Sequence, residues 1–486
     1  MVVHVPVGSL QDALQSQAGP EELRLAAGMH FIEHPLLLKR GSNAAALVGV
    51  GVGRTIISGG IQLAPWGRRP NSTLWSTPLP KHGSPRQLWV GGIRARPARM
   101  PVSTNEFLYW RSALPEPFSR HGLVYEAGQG LEQFGAEDLI GAHAIVFFSW
   151  TASHHRVVAH DRRHRTLVFD RPTRQPLGHH LPQSGRRFLL EFAAALDAPN
   201  DFAVHEGSIG AEDGRITYRP PMGVSDPNDL GASFIARRGL TTLLSIEGEA
   251  RDDDNADADW DDLDDDLEAA SDTWLQGVRV ENLTLAHTDW LLPGNESAET
   301  TIKALTGTDK IDATAAALVG DLLMADWQAA AFLTDAALMV RHAHGTRVTN
   351  VEIRSTGGYA VWLVNGHDNA LESCTMQDLG AGGVRIGGMD LSKREARRES
   401  ALAASRNNSL LRSRILNGGH VFREGVGVLV HRSQHNLIEG NGMRIEPPPA
   451  TDGTATPCRS QAVRLRMLAH VWCLDGRGGA SFVHRD

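Results

Sequence analysis

The sequence predicts an all-β fold: a parallel β-helix, a solenoid of stacked coils, with a β-rich domain inserted into it. Three observations predict it. Residues 348–386 nearly repeat themselves, VTNVEIRSTGGYAVWL being followed by SCTMQDLGAGGVRI. Ile353 and Met376, Gly357 and Gly380, Val361 and Val384, and Leu363 and Ile386 are each 23 positions apart. The apolar positions fall in short alternating groups (Val351, Ile353; Val361, Leu363) between Gly, Asn and Asp, a pattern of strands and tight turns rather than helices. The chain also holds 50 glycines in 486 residues, as a fold built from many turns requires.

Stacked coils place equivalent strands about 4.8 Å apart in parallel register. Ile353 then sits over Met376 and Val361 over Val384 in a continuous core, while Trp362 and Arg385 face outward. Upstream, VENLTLAHTDW (280–290) matches the first strand of the repeat and AALMV (336–340) the second. Downstream, RILNGG (414–419) and VGVLV (426–430) repeat the pair, and residues 436–439 open a further turn as 369–372 did.

Taken in order, residues 1–66 read as an N-terminal cap and the first coils. Residues 9–15 form a short amphipathic helix with Leu10, Ala13 and Leu14 on one face and Ser9 as N-cap, suited to covering the open end of a solenoid. The strand signals ELRLAAGMHFI, HPLLL, AALVGV and TIISGGIQL follow. Residues 67–238 carry longer strands (RQLWVGG, AIVFFSW, HRVVAH, RTLVFD, RFLLEF) without the repeat spacing, and HRVVAHDRRHRTLVF reads as a hairpin about residues 161–165. This is the inserted domain. Coils resume at TTLLSIEG and run over 239–446, interrupted by an acidic run (249–272) and an Ala-rich stretch (294–328) expected as a surface helix. The acidic run is expected to be solvated; it lacks EF-hand spacing and its turn glycine, so no metal is assigned to it. Residues 447–486 lose the coil spacing and are expected to be an irregular tail or a cap.

A formal charge of −8 and a pI near 6.3 leave no basic face for nucleic acid. Three cysteines, one of them (Cys374) at an inward strand position, argue against a disulfide framework. No apolar run is long enough to span a membrane, and MVVHVPVGSLQDALQ lacks the pattern of a signal peptide.

At HTDW, GGYAVWL, DLGAGGVRIG and GVGVLV the sequence resembles the secreted right-handed parallel β-helix proteins of the pectin-lyase-like superfamily, most closely the branch related to glycoside hydrolase family 141. PRQLWVGG, VFFSWTASHHR and LDAP extend the resemblance into the inserted region. It implies a right-handed solenoid with an inserted β-sandwich domain, an extracellular location, and activity on plant cell-wall polysaccharide such as that of an α-L-fucosidase or xylanase. Family members continue with further coils after the one opening at Asn436, and these are expected to be missing here. The fold itself also hosts lyases, epimerases and binding proteins.

Solenoid register turns the alignment into spatial columns. The position after the first strand reads His287, Ser355, Asp378 and Asn417 along one edge. Asp378 leads the catalytic candidates: beside Gly380, Gly382 and Gly383 it lies where the backbone turns tightly and leaves room for a ligand. The alternative is an Asx-turn. Glycoside hydrolysis uses two carboxyl groups, roughly 5 to 5.5 Å apart for retention or 6.5 to 9.5 Å for inversion. Asp289, two coils below and so about 10 Å away, is the candidate second carboxylate; otherwise it is a turn residue orienting Trp290. His287 either assists as acid or base or fills the turn. Thr284, Glu352, Thr375 and Arg414 form one outward column; Met339, Trp362, Arg385 and Leu429 form the next. Trp290, Glu352, Trp362, Arg385, His420 and Glu424 are the candidate sugar-binding residues, the last two in the GGHVFREG loop. Trp150, His154, His155 and Arg156 of the inserted domain are candidates for a contact with substrate. Cys374 is expected to be buried and inert.

Three functions compete at this stage. One is a glycoside hydrolase working through Asp378 without a cofactor, as a monomer on a poly- or oligosaccharide. Another is a polysaccharide lyase, which needs a base and a cation for the uronate; Arg385 and Arg414 are available. The third is a non-catalytic glycan-binding β-helix.

Overall fold

A computed structural model of the chain describes residues 2–15, 22–39, 45–103, 106–149, 151–173, 176–178, 181, 185–205, 214–248, 274–291, 334–387, 405–431, 433–444 and the strand Gln461–Arg466. The acidic run, the Ala-rich stretch, Trp150 and most of the C-terminal tail lie outside them. Two compact units divide the chain. The first comprises Met1–Gly60, Gly239–Trp290 and Thr334–Asp486; the second comprises Ile61–Arg238 and Leu291–Leu333.

The first unit is a parallel β-helix with three faces. On the first face, Glu22–Leu25, Ala46–Val48, Arg279–Glu281, Arg347–Thr349, Ala370–Glu372 and Ser409–Leu411 stack in parallel. The second face stacks Gly28–Phe31, Thr55–Ser58, Thr284–Ala286, Glu352–Thr356, Thr375–Leu379 and Arg414–Leu416. On the third lie Leu36–Lys39, Leu244–Glu247, Ala336–Arg341, Tyr359–Val364, Val384–Ile386 and Val428–Val430. Leu437–Arg444 joins the first two faces into one sheet, because its start pairs with Ser409–Leu411 and its end with Arg414–Leu416. Gln461–Arg466, in what the sequence suggested was an irregular tail, pairs antiparallel with that strand.

The register is the one the 23-residue repeat requires: Ile353 opposes Met376, and Val361 opposes Val384. Alternation turns one residue in two inward, and these form a single core of ladders such as Leu23, Leu47, Val280, Val348, Leu371 and Leu410. Cys374 belongs to this core, and burial pushes its thiol up to about 11. The helix Leu10–Gln15 sets Leu10 into the core, with Ala13 and Leu14 packed against it. Ser9 stands at the N-cap position, its carbonyl accepting from Ala13 N at 3.0 Å, and its hydroxyl donates to the Pro6 carbonyl at 3.4 Å.

Each coil must turn a corner between faces, and the corners use left-handed backbone. His287, Ser355, Asp378 and Asn417, one column by sequence, have φ of 65°, 56°, 54° and 52°. Asn, Asp and His tolerate this region best among residues with a side chain. A second device is a buried ladder of polar side chains at the entrance to the first face. The Asn369 amide group donates to Asn408 Oδ1 at 3.0 Å, Asn408 Nδ2 donates to the Gly366 carbonyl at 2.9 Å, and Asn436 Oδ1 accepts from Asn408 N at 3.1 Å. These groups satisfy corner backbone that strand pairing leaves unpaired.

The second unit is antiparallel. A four-stranded sheet (Ile93–Arg94, Gly83–Val90, Ser233–Arg237, Gly60–Gln62) and a five-stranded sheet led by Asp201–His205, Arg215–Tyr218 and Trp75–Pro78 share one apolar core of Leu88, Val90, Ile235, Phe202, Ile216 and Tyr218, two layers of a sandwich. A further sheet closes on itself, since Arg187–Glu191 pairs with both Leu108–Ala113 and His143–Phe147. In this sheet Ala152–Asp161 and Thr166–Phe169 form the expected hairpin, whose turn is held by Asp161 Oδ1 accepting from Arg163 N and His164 N at 2.8 and 3.0 Å.

Candidate functional site

The corner between the second and third faces gathers the groups best placed for chemistry. After the strand Arg414–Leu416 the chain leaves the coil in a loop that returns at Val428–Val430. Backbone pins that loop to the coil below: His420 N donates to the Leu379 carbonyl at 3.2 Å, and Val421 N and Phe422 N both donate to that of Gly380 at 2.8 Å. The loop is therefore held over the end of the strand carrying Asp378. His420 Nε2 lies 3.5 Å from Asp378 Oδ1, with the two side chains 41% and 24% exposed, so this imidazole–carboxylate pair is open to solvent.

Behind it lies a buried wall. Trp290 is buried and meets Phe422 edge to face, ring centres 5.5 Å apart at 82°. Tyr359 accepts at its hydroxyl from Val426 N at 3.3 Å, and burial pushes its phenol up to about 12. Glu424 is half-buried in the same loop.

The glycines beside Asp378 serve a different purpose from the one expected. A Cβ on Gly380 would run into the Gly357 carbonyl, and one on Gly382 into the Val426 carbonyl and the Tyr359 ring. The room that they leave is filled by neighbouring backbone, letting coil and loop approach, and is not open to a ligand.

The remaining candidates are placed as follows. His287 is buried; its Nδ1 shares a 2.9 Å hydrogen bond with Ser58 Oγ, and its ring packs against Gly60. Asp289 is also buried, its Oδ2 accepting from Gly239 N at 3.0 Å. Glu352 lies on the second face, where Oε2 accepts from Thr284 Oγ1 at 3.0 Å, Oε1 accepts from Gln377 Nε2 at 2.8 Å, and Arg354 Nε lies 3.3 Å away. Trp362 and Arg385 occupy the outward register of the third face, as expected, yet are only 5% and 2% exposed. Trp362 Nε1 donates to the Gly387 carbonyl and Arg385 NH1 to that of Thr334, both at 2.8 Å. Burial lowers the Arg385 guanidinium to about 10. In the second unit, His154 is buried, 3.1 Å from His143 Nε2; His155 is buried on Phe169; and Arg156 is exposed.

The structure thus brings together Asp378 with His420, and Trp290 with the loop that carries His420 and Glu424. Sequence reasoning missed Phe422, which stands between the two flagged loop residues, and Thr288, whose hydroxyl accepts from Gly357 N at 2.8 Å within the flagged HTDW. An open concavity of about 580 Å³ lies elsewhere, over the first coils, and is lined chiefly by apolar groups with His4 and Arg24.

Residues 336–444 match the family model of the right handed beta helix region. The fold is a right-handed parallel β-helix. Among solved structures, this one is similar to that of a protein described as a glycoside hydrolase, with a TM-score of 0.61 and 15% identity over 89% of this chain and 71% of that one. The tailspike protein gp49 from Pseudomonas phage LKA1 also matches, with a TM-score of 0.17 and 9% identity over 90% of this chain and 56% of that one. A search of curated proteins finds no match. At this identity the likeness to the glycoside hydrolase establishes shared fold.

Proposed function

We propose that this β-helix is an extracellular glycoside hydrolase of the pectin-lyase-like superfamily, close to the branch related to glycoside hydrolase family 141, and that it cleaves plant cell-wall-type polysaccharide. One observation carries the reading: the solvent-open Asp378–His420 pair, held at a coil corner by a loop fastened to backbone. A carboxyl group that shares its site with an imidazole is equipped for general acid–base work on a glycosidic oxygen. The neighbour described as a glycoside hydrolase supports the substrate class.

For the second carboxyl, Glu424, read from the sequence as a sugar-binding residue, suits the role better than Asp289. Glu424 belongs to the loop that carries His420, whereas Asp289 is buried with an oxygen committed to Gly239 N. The lyase reading loses one of its two cations, because Arg385 is buried against Trp362 rather than presented to a uronate.

The test is incubation of the full chain with a panel of plant polysaccharides. Release of new reducing ends without an ultraviolet-absorbing unsaturated product is expected. Unsaturated product would establish a lyase, and tight glycan binding with no product would establish a binding protein.

A further inference from the structure

A different corner of the solenoid, between the third and first faces, carries a cluster that the proposed hydrolysis does not use. His344 and His367 are 23 residues apart, one full repeat, and form adjacent rungs of a parallel ladder continued by Arg406 and Gln434. Coil stacking alone sets such rungs about 4.8 Å apart, and the two imidazoles lie face to face, ring centres 4.9 Å apart at 20°. Both rings are half-buried and reach solvent.

Their hydrogen bonding leaves a ring nitrogen of each imidazole unengaged among the described residues. His367 Nδ1 lies 2.7 Å from Asp368 Oδ2, and a carboxylate there accepts the Nδ1 proton, so Nε2 carries the lone pair. That carboxylate–imidazole arrangement is how proteins orient a metal-binding histidine and raise its basicity. The His344 ring makes no hydrogen bond among the described residues, so it is held in place by no partner when it rotates out of the stack to bring a nitrogen toward the point His367 Nε2 faces. The Trp274 ring packs beside the pair, its centre 5.5 Å from that of His367.

We propose that His344 and His367 form a two-imidazole site for a divalent transition metal of the zinc class. Imidazole nitrogen suits Zn²⁺, whereas Mg²⁺ and Ca²⁺ seek oxygen ligands. Beyond Asp368, which engages the far side of the His367 ring, no His, Cys, Asp or Glu among the described residues completes a group of three metal ligands with them. The site is therefore open, with water completing the shell.

The experiment is calorimetric titration of the full chain with Zn²⁺ alone, with Mg²⁺ as reference, on the wild type, His344→Ala and Asp368→Asn. The wild type is expected to bind one more equivalent of Zn²⁺ than His344→Ala, and Asp368→Asn is expected to weaken that equivalent about tenfold or more. Neither change disturbs the packing of the coil: among the described residues the His344 ring makes no hydrogen bond, and Asp368, 53% exposed, bonds through its side chain to His367, the contact under test, at a left-handed corner that Asn also tolerates. Equal Zn²⁺ stoichiometry and affinity in the wild type and His344→Ala would overturn the proposal, as would displacement of that equivalent by Mg²⁺ at equal concentration.

Discussion

The guanidinium carbon of Arg385 lies 3.6 Å from the centre of the Trp362 ring, one coil below it, and 5.4 Å from that of Tyr359. Both Arg385 and Trp362 are buried, so the stack belongs to the packing of the third face. Arg385→Lys keeps the charge and gives up the flat contact, and is expected to cost about 2 kcal/mol in the denaturant unfolding of the solenoid. Had Arg385 served a substrate carboxylate, the same change would leave stability intact and raise KM.

The Asn408 side chain is tied to the preceding coil, its Oδ1 accepting from Asn369 N and Nδ2 and its Nδ2 donating to the Gly366 carbonyl. Asn408→Ala strands these groups without water. The expected loss is about 3 kcal/mol, read as a lower unfolding midpoint, and hydrogen exchange should quicken at Asn369 N first.

Gly380→Ala is expected to destabilise the solenoid by about 3 kcal/mol, because the new methyl meets the fixed Gly357 carbonyl. Since the Gly380 carbonyl accepts from Val421 N and Phe422 N of the loop bearing His420, activity should fall with stability in the same variant.

These elements differ in how far the sequence revealed them. The column His287, Ser355, Asp378 and Asn417 was legible because the repeat sets register, and residues that tolerate left-handed backbone recur where the corner needs it. The outward column holding Trp362 and Arg385 was legible as register and misleading as exposure: alternation along a strand says which side a residue takes, not what covers that side. Asn369 and Asn436 were legible only as the opening of a coil, since a buried amide ladder and a solvated turn use the same residue. Gly380 and Gly382 misled for a related reason, because a missing side chain serves a ligand or a neighbouring backbone equally well. The Asp378–His420 contact depends on a loop lying outside the repeat, whose path no spacing rule supplies.

His155 ties the stability of the second unit to pH. Burial lowers its imidazole from 6.5 to about 3, while its Nε2 shares a 2.7 Å hydrogen bond with Ser153 Oγ. The unfolded chain takes up a proton below about pH 6.5 and the folded unit does not. The stabilisation is therefore complete above that pH and is lost progressively as the pH falls toward 3, on the order of 2 kcal/mol by about pH 5. His155→Gln should flatten this slope in urea unfolding measured between pH 7 and 5, and an unchanged slope would rule out His155 as its source.

The most direct measurement of the central claim is polysaccharide hydrolysis by the wild type and Asp378→Asn at matched concentration. Asparagine accepts the corner backbone, as Asn417 does in the same column, so circular dichroism and the unfolding midpoint should not change. Reducing-end release is predicted to fall about 100-fold or more. Full activity in Asp378→Asn, with the fold unchanged, would contradict the assignment of Asp378 as the catalytic carboxyl group.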